Sequence, residues 1–405
     1  MRFSVHLRSG VKNALESLAG EMAAWAQVPR VDAAEAKRIR DAIRPFGHTL
    51  RREVLSIGGV DGSGDYPSLS YGDSFVYVTV ASGTCYDKDD LSGLRERTAA
   101  GAELVEFSWI PEDETKRAAA IDATFERMVG RPIAEVVERS DYRLLKDRFA
   151  GRAHTVTELV EELIRPHASD TGNLAIQLRT VGELSAALHL IELETSPDYV
   201  LYDSTLSLPF VIRKRSSLFM EHLKRLCCVV ARERGVGFLA LSKSHGLADT
   251  ERIEALASEL QGCSAGRSEH WYLRLPTLID DGWEMKMVEG RNVPPPGAVT
   301  YLVRLHRNVP VMRLDVDREW WNSRIHAASD EATRANERTL FEDLDYASHD
   351  QRAYGYPYPI KAGHDRASLT APERLALRKM VIDAAVAAGM NRSLFKNASQ
   401  ATGHA

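Results

Sequence analysis

The chain has 405 residues, of which 44% are hydrophobic and 27% charged, with 52 basic against 57 acidic side chains and a formal net charge of −5. That balance excludes wholesale disorder and allows a sizeable core, with about two to three domains expected from the length alone. The slight acidic excess disfavours a simple DNA coat or repressor but leaves room for a nuclease, which needs carboxylates and can confine its positive charge to one channel.

The N-terminal stretch lacks the uninterrupted apolar region and cleavage site of a signal peptide, and no run approaches the roughly 20 apolar residues of a membrane helix. A cytoplasmic protein with no membrane partner is therefore expected. Residues 11–28 carry apolar side chains at helical spacing, and residues 33–43 continue after a break at Pro29. Residues 1–50 thus read as a helical N-terminal arm suited to packing or interaction. Residues 54–60 (VLSIGGV) read as a short buried strand running into Asp61-Gly62-Ser63-Gly64. Residues 74–82 alternate as a second strand and residues 103–110 as a third, so the sheet begins antiparallel.

Residues 112–165 turn helical and charged, punctuated by Gly130, Pro132, Gly151 and Pro166, which predicts a helical insertion over 111–172. A longer helix over 173–192 leads into a strand over 198–202 that ends at Asp203. Residues 216–234 are helical again and place Cys227 and Cys228 in an apolar run. The four cysteines show neither a CxxC pair nor zinc spacing, which fits buried free thiols. Strands follow over 236–242, 271–275, 299–305 and 309–316, the last two paired across Arg307-Asn308. Thr370 and Glu373 form a capping box for a helix to residue 388, closed by Gly389, and residues 391–405 read as a flexible tail. The pattern is that of a mixed α/β protein.

Two aspartates share one context. Asp61 ends one hydrophobic strand and precedes Gly-Ser; Asp203 ends another and precedes Ser-Thr-Leu. A carboxylate at the tip of a buried strand is held rigidly, and two on adjacent strands can converge on one hard cation such as magnesium or manganese. The same tripeptides are also ordinary turn sequences. Near the C-terminus, residues 354–364 read YGYPYPIKAGH, where two prolines predict extended backbone and His364 follows just before a helix. A histidine there can ligate a metal or transfer a proton near neutral pH, or simply pack on the tyrosines.

The order of these features resembles the NurA nucleases, partners of the HerA translocase in DNA end processing. The matching features are the strand ending in Asp61-Gly62-Ser63 and the strand ending in Asp203-Ser204-Thr205-Leu206. They are followed by Arg313-Leu314-Asp315 and by the eight-residue step from Tyr356 to His364. The resemblance runs over residues 53–390, more loosely through the helical middle. It implies an RNase H-like mixed sheet flanked by helices, with a two-metal, manganese-favoured (or magnesium) nuclease site in the domain 51–390. Asp61 and Asp203 match metal ligands of the family, and Tyr356 and His364 match the Tyr and His of its C-terminal segment. His364 would ligate a metal or orient water or phosphate, and Tyr356 would position the phosphate or stack on a base. Glu183 best fits the glutamate on the helix before the second aspartate, although a solvated helix face is the ordinary alternative. The chain departs from the family at Ser204, where glycine is usual, at Gly363 for alanine, and at Asp315 for glutamate, whose role stays open. No departure removes a ligand.

For the substrate path, the densest basic stretch holds Arg213, Lys214 and Arg215, then Lys224, Arg225, Arg232 and Arg234, with Lys243 and His245 after the following strand. Such a stretch either binds phosphate or forms a solvated helix face. Trp320-Trp321 reads as core. The resemblance further implies a homodimer docked on a HerA-like hexameric ATPase. In line with this, the chain contains no GxxxxGK[ST] motif of its own. A non-catalytic DNA clamp and an enzyme cutting RNA are the competing readings.

Overall fold

The computed structural model describes residues 5–25, 33–49, 52–64, 68–90, 93–142, 171–206, 219–245, 247, 250–264, 268–275 and 297–397. In chain order, helices α1 (Val5–Trp25) and α2 (Ala33–Ala42) precede strands β1 (Arg44–Pro45), β2 (Ser56–Ser63), β3 (Leu69–Tyr71), β4 (Ser74–Asp89), β5 (Gly93–Glu96) and β6 (Ala102–Pro111). Helices α3 (Glu114–Val129), α4 (Ile133–Arg139) and α5 (Thr171–Glu192) lead to β7 (Tyr199–Tyr202), α6 (Phe219–Arg234), β8 (Gly237–Ser242) and α7 (Thr250–Leu260). Strands β9 (Trp271–Arg274), β10 (Ala298–Arg304) and β11 (Met312–Asp317) follow. The chain then runs through α8 (Arg318–Arg324), α9 (Asp330–Ala347), α10 (Tyr358–Ala367), α11 (Ala371–Ala387) and β12 (Phe395–Asn397).

The centre of the sheet runs β6-β4-β2-β7-β8, with β4 and β6 antiparallel to their neighbours and β2, β7 and β8 parallel. In chain order that is 3-2-1-4-5, the RNase H-like arrangement. Antiparallel strands β11, β10, β9 and β1 extend it beyond β8. Alternation along the strands builds two cores. Val60, Tyr202 and Ala240 pack with Leu178, Val181 and Leu226 of α5 and α6 on one face. Ile57, Leu201 and Leu239 pack with Trp320, Phe341 and Ile360 of α8 to α10 on the other, and Trp320 and Trp321 are both buried. The result is a three-layer α/β/α molecule, and none of the described helices is long and apolar enough to cross a membrane.

The N-terminal arm is docked from Ala33 onward: Ala36 and Ile39 of α2 pack with Ile253 of α7, and Arg44 of β1 pairs with Tyr272 of β9. In the expected helical insertion, Ile121, Phe125 and Met128 of α3 and Val136 of α4 join the first core. Three readings of the sequence are corrected. Strand β2 continues through Asp61 to Ser63, because Asp61 pairs with Ser82 of β4. Phe395–Asn397 pairs with Leu69–Tyr71 at the sheet edge, where a frayed tail was expected. Residues 358–367 are helical, with Pro357 at the N-cap and Pro359 in the first turn, where a missing N–H leaves no intrahelical bond unmade. His364 therefore lies on α10 and does not precede a helix.

Candidate active site

The parallel register of β2 and β7 aligns Val60 with Tyr202, so Asp61 and Asp203, the next residues, stand side by side where that pairing ends. By alternation both face the α10 side. Helix α10 lies directly on β2. A Cβ on Gly59 would fall 2.4 Å from the Ile360 nitrogen, and one on Gly363 would fall 3.1 Å from the Ser82 oxygen and 3.3 Å from the Asp61 nitrogen. A side chain at Gly59 would clash with the α10 backbone, while one at Gly363 would need a shift of a few tenths of an ångström; this close approach delivers His364 to Asp61.

His364 Nδ1 lies 2.8 Å from Asp61 Oδ2, and its Nε2 lies 3.3 Å from Ser368 Oγ. The Gly62 amide donates to Asp61 Oδ1 at 2.7 Å. Ser368 was not singled out in the sequence; its i+4 spacing from His364 was the available signal. The buried Tyr356 hydroxyl is directed at Asp203 and makes no hydrogen bond of good geometry. Burial raises the Asp203 carboxyl above its usual range and the Asp61 charge adds to the rise, while Tyr356, Lys243 and His364 oppose it. Burial likewise pushes the Tyr356 hydroxyl well up, with the Asp203 charge adding to it. Exposed Lys243 places Nζ 3.5 Å from the centroid of the Tyr356 ring. Asp61, Asp203, Lys243, Tyr356 and His364 thus share one mouth.

Glu183 is placed differently. It is buried on α5 with Arg179 Nε 3.5 Å away, and it approaches β2 from the opposite face. A Cβ on Gly62 would come within 2.9 Å of Glu183 Cγ. Among the described residues, the Asp61 neighbourhood holds no three ligand atoms within 4.8 Å of one another; the one group that does is His48, Asp345 and His349.

Asp315 acquires a role. It is fully buried and binds Arg313 through Nε at 2.8 Å and Nη2 at 2.9 Å, with Thr300 Oγ1 at 2.8 Å. It also accepts from Thr205 Oγ1 at 2.5 Å and the Leu206 amide at 3.0 Å, which fixes the turn immediately after Asp203. Burial alone would raise its carboxyl, but Arg313 and these donors hold it below the usual range.

The basic stretch is corrected in part. Arg225, 1% exposed, bonds Asp141 at 2.6 Å and Asp317 at 2.8 Å, and Arg232 joins the same two carboxylates. Lys224 is also buried, beside Glu221. Arg225 and Arg232 hold α6 to its neighbours and Lys224 pairs within α6; spent on internal partners, these three are not a phosphate track. Arg213, Lys214 and Arg215 lie outside the described residues. His245 is a structural pin, its Nε2 3.1 Å from the Val311 oxygen and its Nδ1 accepting the Leu247 amide at 3.2 Å.

The chain is similar in structure to the NurA nuclease from Sulfolobus solfataricus, at 12% identity and TM-score 0.47, covering 96% of this chain and 99% of that one. It is also similar to NurA bound to dAMP and manganese (12%, TM-score 0.39, 96% and 98% covered). A further likeness is to endonuclease V of Ciona intestinalis in complex with inosine-containing DNA (12%, TM-score 0.31, 86% and 95% covered). No protein-family model and no curated protein matches the sequence.

Proposed function

We propose that the chain is a metal-dependent nuclease hydrolysing phosphodiester bonds of DNA, in single strands or at duplex ends. The observation that carries the reading is the side-by-side placement of Asp61 and Asp203 where the parallel pairing of β2 and β7 ends, with His364 on Asp61 and the Tyr356 hydroxyl directed at Asp203. Two carboxylates whose charges repel, at a polar mouth with one imidazole, form an oxygen-rich donor set suited to manganese or magnesium. Asp61, Asp203 and His364 would hold such ions. Glu183 would reach them around the end of β2, through the space that Gly62 leaves open.

Divalent cations there would activate water and relieve charge on the leaving oxygen. The chain's own residues do the rest. Ser368 orients the His364 ring through Nε2, leaving Nδ1, beside Asp61, to face an ion. Lys243 offers an exposed positive charge to a phosphate over the Tyr356 ring, and Asp315 holds the Asp203 turn in place. The resemblance of the sequence motifs to NurA supports a homodimer fed by a HerA-like hexameric ATPase, in end processing during repair or in phage defence.

The test is cleavage of end-labelled single- and double-stranded DNA with manganese, magnesium or EDTA, comparing wild type with Asp61→Ala and adding the ATPase in a parallel series. Manganese-dependent cutting lost in the variant supports the reading. Folded protein that binds DNA but cuts it under no condition, partner included, would make it a clamp.

A further inference from the structure

A second group of ligating side chains lies away from this mouth, and the function above makes no use of it. His48 follows β1, His270 precedes β9, His306 follows β10, and Asp345 and His349 stand one helical turn apart at the end of α9. The strands β1, β9 and β10 are hydrogen-bonded neighbours, which brings these ends together. Strand β10 is three places from β7 in the order β7-β8-β11-β10, roughly 14 Å at about 4.8 Å per strand. One ion cannot serve both places.

Asp345 is fully buried, and its carboxylate faces imidazoles. His48 Nδ1 stands 2.5 Å from Oδ2, while His270 Nε2 and His349 Nδ1 stand 3.2 and 3.3 Å from Oδ1. Despite these distances, Oδ1 and His270 Nε2 make no hydrogen bond of good geometry. A buried carboxylate oxygen without a well-formed donor is costly. His48 makes a short hydrogen bond to Oδ2, which would open to admit an ion, whereas the 3.2 and 3.3 Å separations at Oδ1 have another explanation. With metal–ligand bonds of about 2.0 to 2.1 Å, the edge of a tetrahedron is roughly 3.3 Å. The ligand atoms of His48, Asp345 and His349 all lie within 4.8 Å of one another, and the His48 and His349 rings are 3.7 Å apart.

We infer that His48, Asp345 and His349 form a second metal site, with His270 or water in the fourth position, that takes a first-row transition ion of the zinc type. A nitrogen-rich set with one carboxylate suits zinc far better than magnesium or manganese. The site also has a structural consequence. The His306 and His349 rings contact Tyr354, two residues before Tyr356, and the Gly355 amide donates to the Ser348 oxygen at 2.6 Å. An ion here would tie the end of α9 to the segment that delivers Tyr356.

The experiment is a titration of chelator-treated full-length Asp61→Ala protein, in which the first site is disabled, with cobalt(II) and then zinc. The expected result is one equivalent of cobalt with an intense tetrahedral absorption that zinc displaces. His48→Ala and His349→Ala, added singly, should remove that absorption and weaken zinc binding at least about 100-fold. His48 is half exposed, so its variant should keep the fold, checked by circular dichroism. Absence of the absorption in the parent, or an absorption unchanged by both histidine substitutions in folded protein, overturns the inference.

Discussion

His364 Nδ1 and Asp61 Oδ2 stand 2.8 Å apart although 303 positions separate the two residues in the chain. The contact exists because two glycines let α10 lie against the backbone of β2 and its neighbour. Asp61→Ala should lower metal-dependent cleavage by several kcal/mol of barrier, on the order of 10³ in rate. His364→Ala should cost about 10² to 10⁴. Neither side chain is a core anchor, so the free energy of unfolding should change by less than about 1 kcal/mol. Full activity in either folded variant would remove that residue from the site.

Asp315 tests the support beneath the site. Asp315→Ala leaves Arg313 buried without its carboxylate and releases the Thr205 and Leu206 donors, at a cost of about 3 to 5 kcal/mol in urea unfolding. The protein that remains folded should also cut more slowly, because the turn after Asp203 loses its anchor. A normal rate per folded molecule would show that Asp203 is positioned by other means.

Lys243 and Arg225 separate substrate charge from structural charge. Lys243→Ala should reduce the salt dependence of DNA binding by about 0.7 to 0.9 in the log–log slope, the amount for one phosphate contact. Arg225→Met should leave that slope unchanged and destabilise the fold by about 1 to 3 kcal/mol, since Asp141 and Asp317 lose one of their two shared partners and keep Arg232. The opposite pattern would reinstate the basic helix as the DNA track.

Asp343 provides a pH dependence of stability. Burial pushes its carboxyl from 3.8 up to about 6, against the Tyr199 hydroxyl at 2.8 Å and Arg52 at 3.1 Å. The folded state therefore holds the proton more tightly than the unfolded state. Its contribution to stability is fully present below about pH 3.8 and is lost as pH rises through about 6. Between pH 4 and 7, wild type should lose on the order of 3 kcal/mol relative to Asp343→Asn. A constant difference across that range in urea unfolding would show that Asp343 titrates normally.

The strands that hold the carboxylates were legible because each is a short, continuously apolar run leading into an aspartate, although β2 runs on past Asp61 to Ser63. The capping box at Thr370 and Glu373 was legible for the same local reason. Helix α10 was misread because prolines usually signal extended chain. Whether Pro359 breaks a helix or starts one depends on where the helix begins, and packing on β2 decides that. Arg225 and Arg232 of the basic stretch were misread because a run of Lys and Arg looks the same whether its partners are phosphates in solution or Asp141 and Asp317 inside the protein.

By itself, then, the sequence determined which residues can do chemistry and which strands carry Asp61 and Asp203, because these follow from side-chain type and short-range periodicity. The tertiary structure alone decided that Asp61 and Asp203 stand in register, that Glu183 comes from the other face, and that Asp315 serves the turn after Asp203. It alone gathered His48, Asp345 and His349 at one end of the sheet. Strand order and register are set by burial of both sheet faces at once, a condition on contacts distant in the chain that no local pattern encodes.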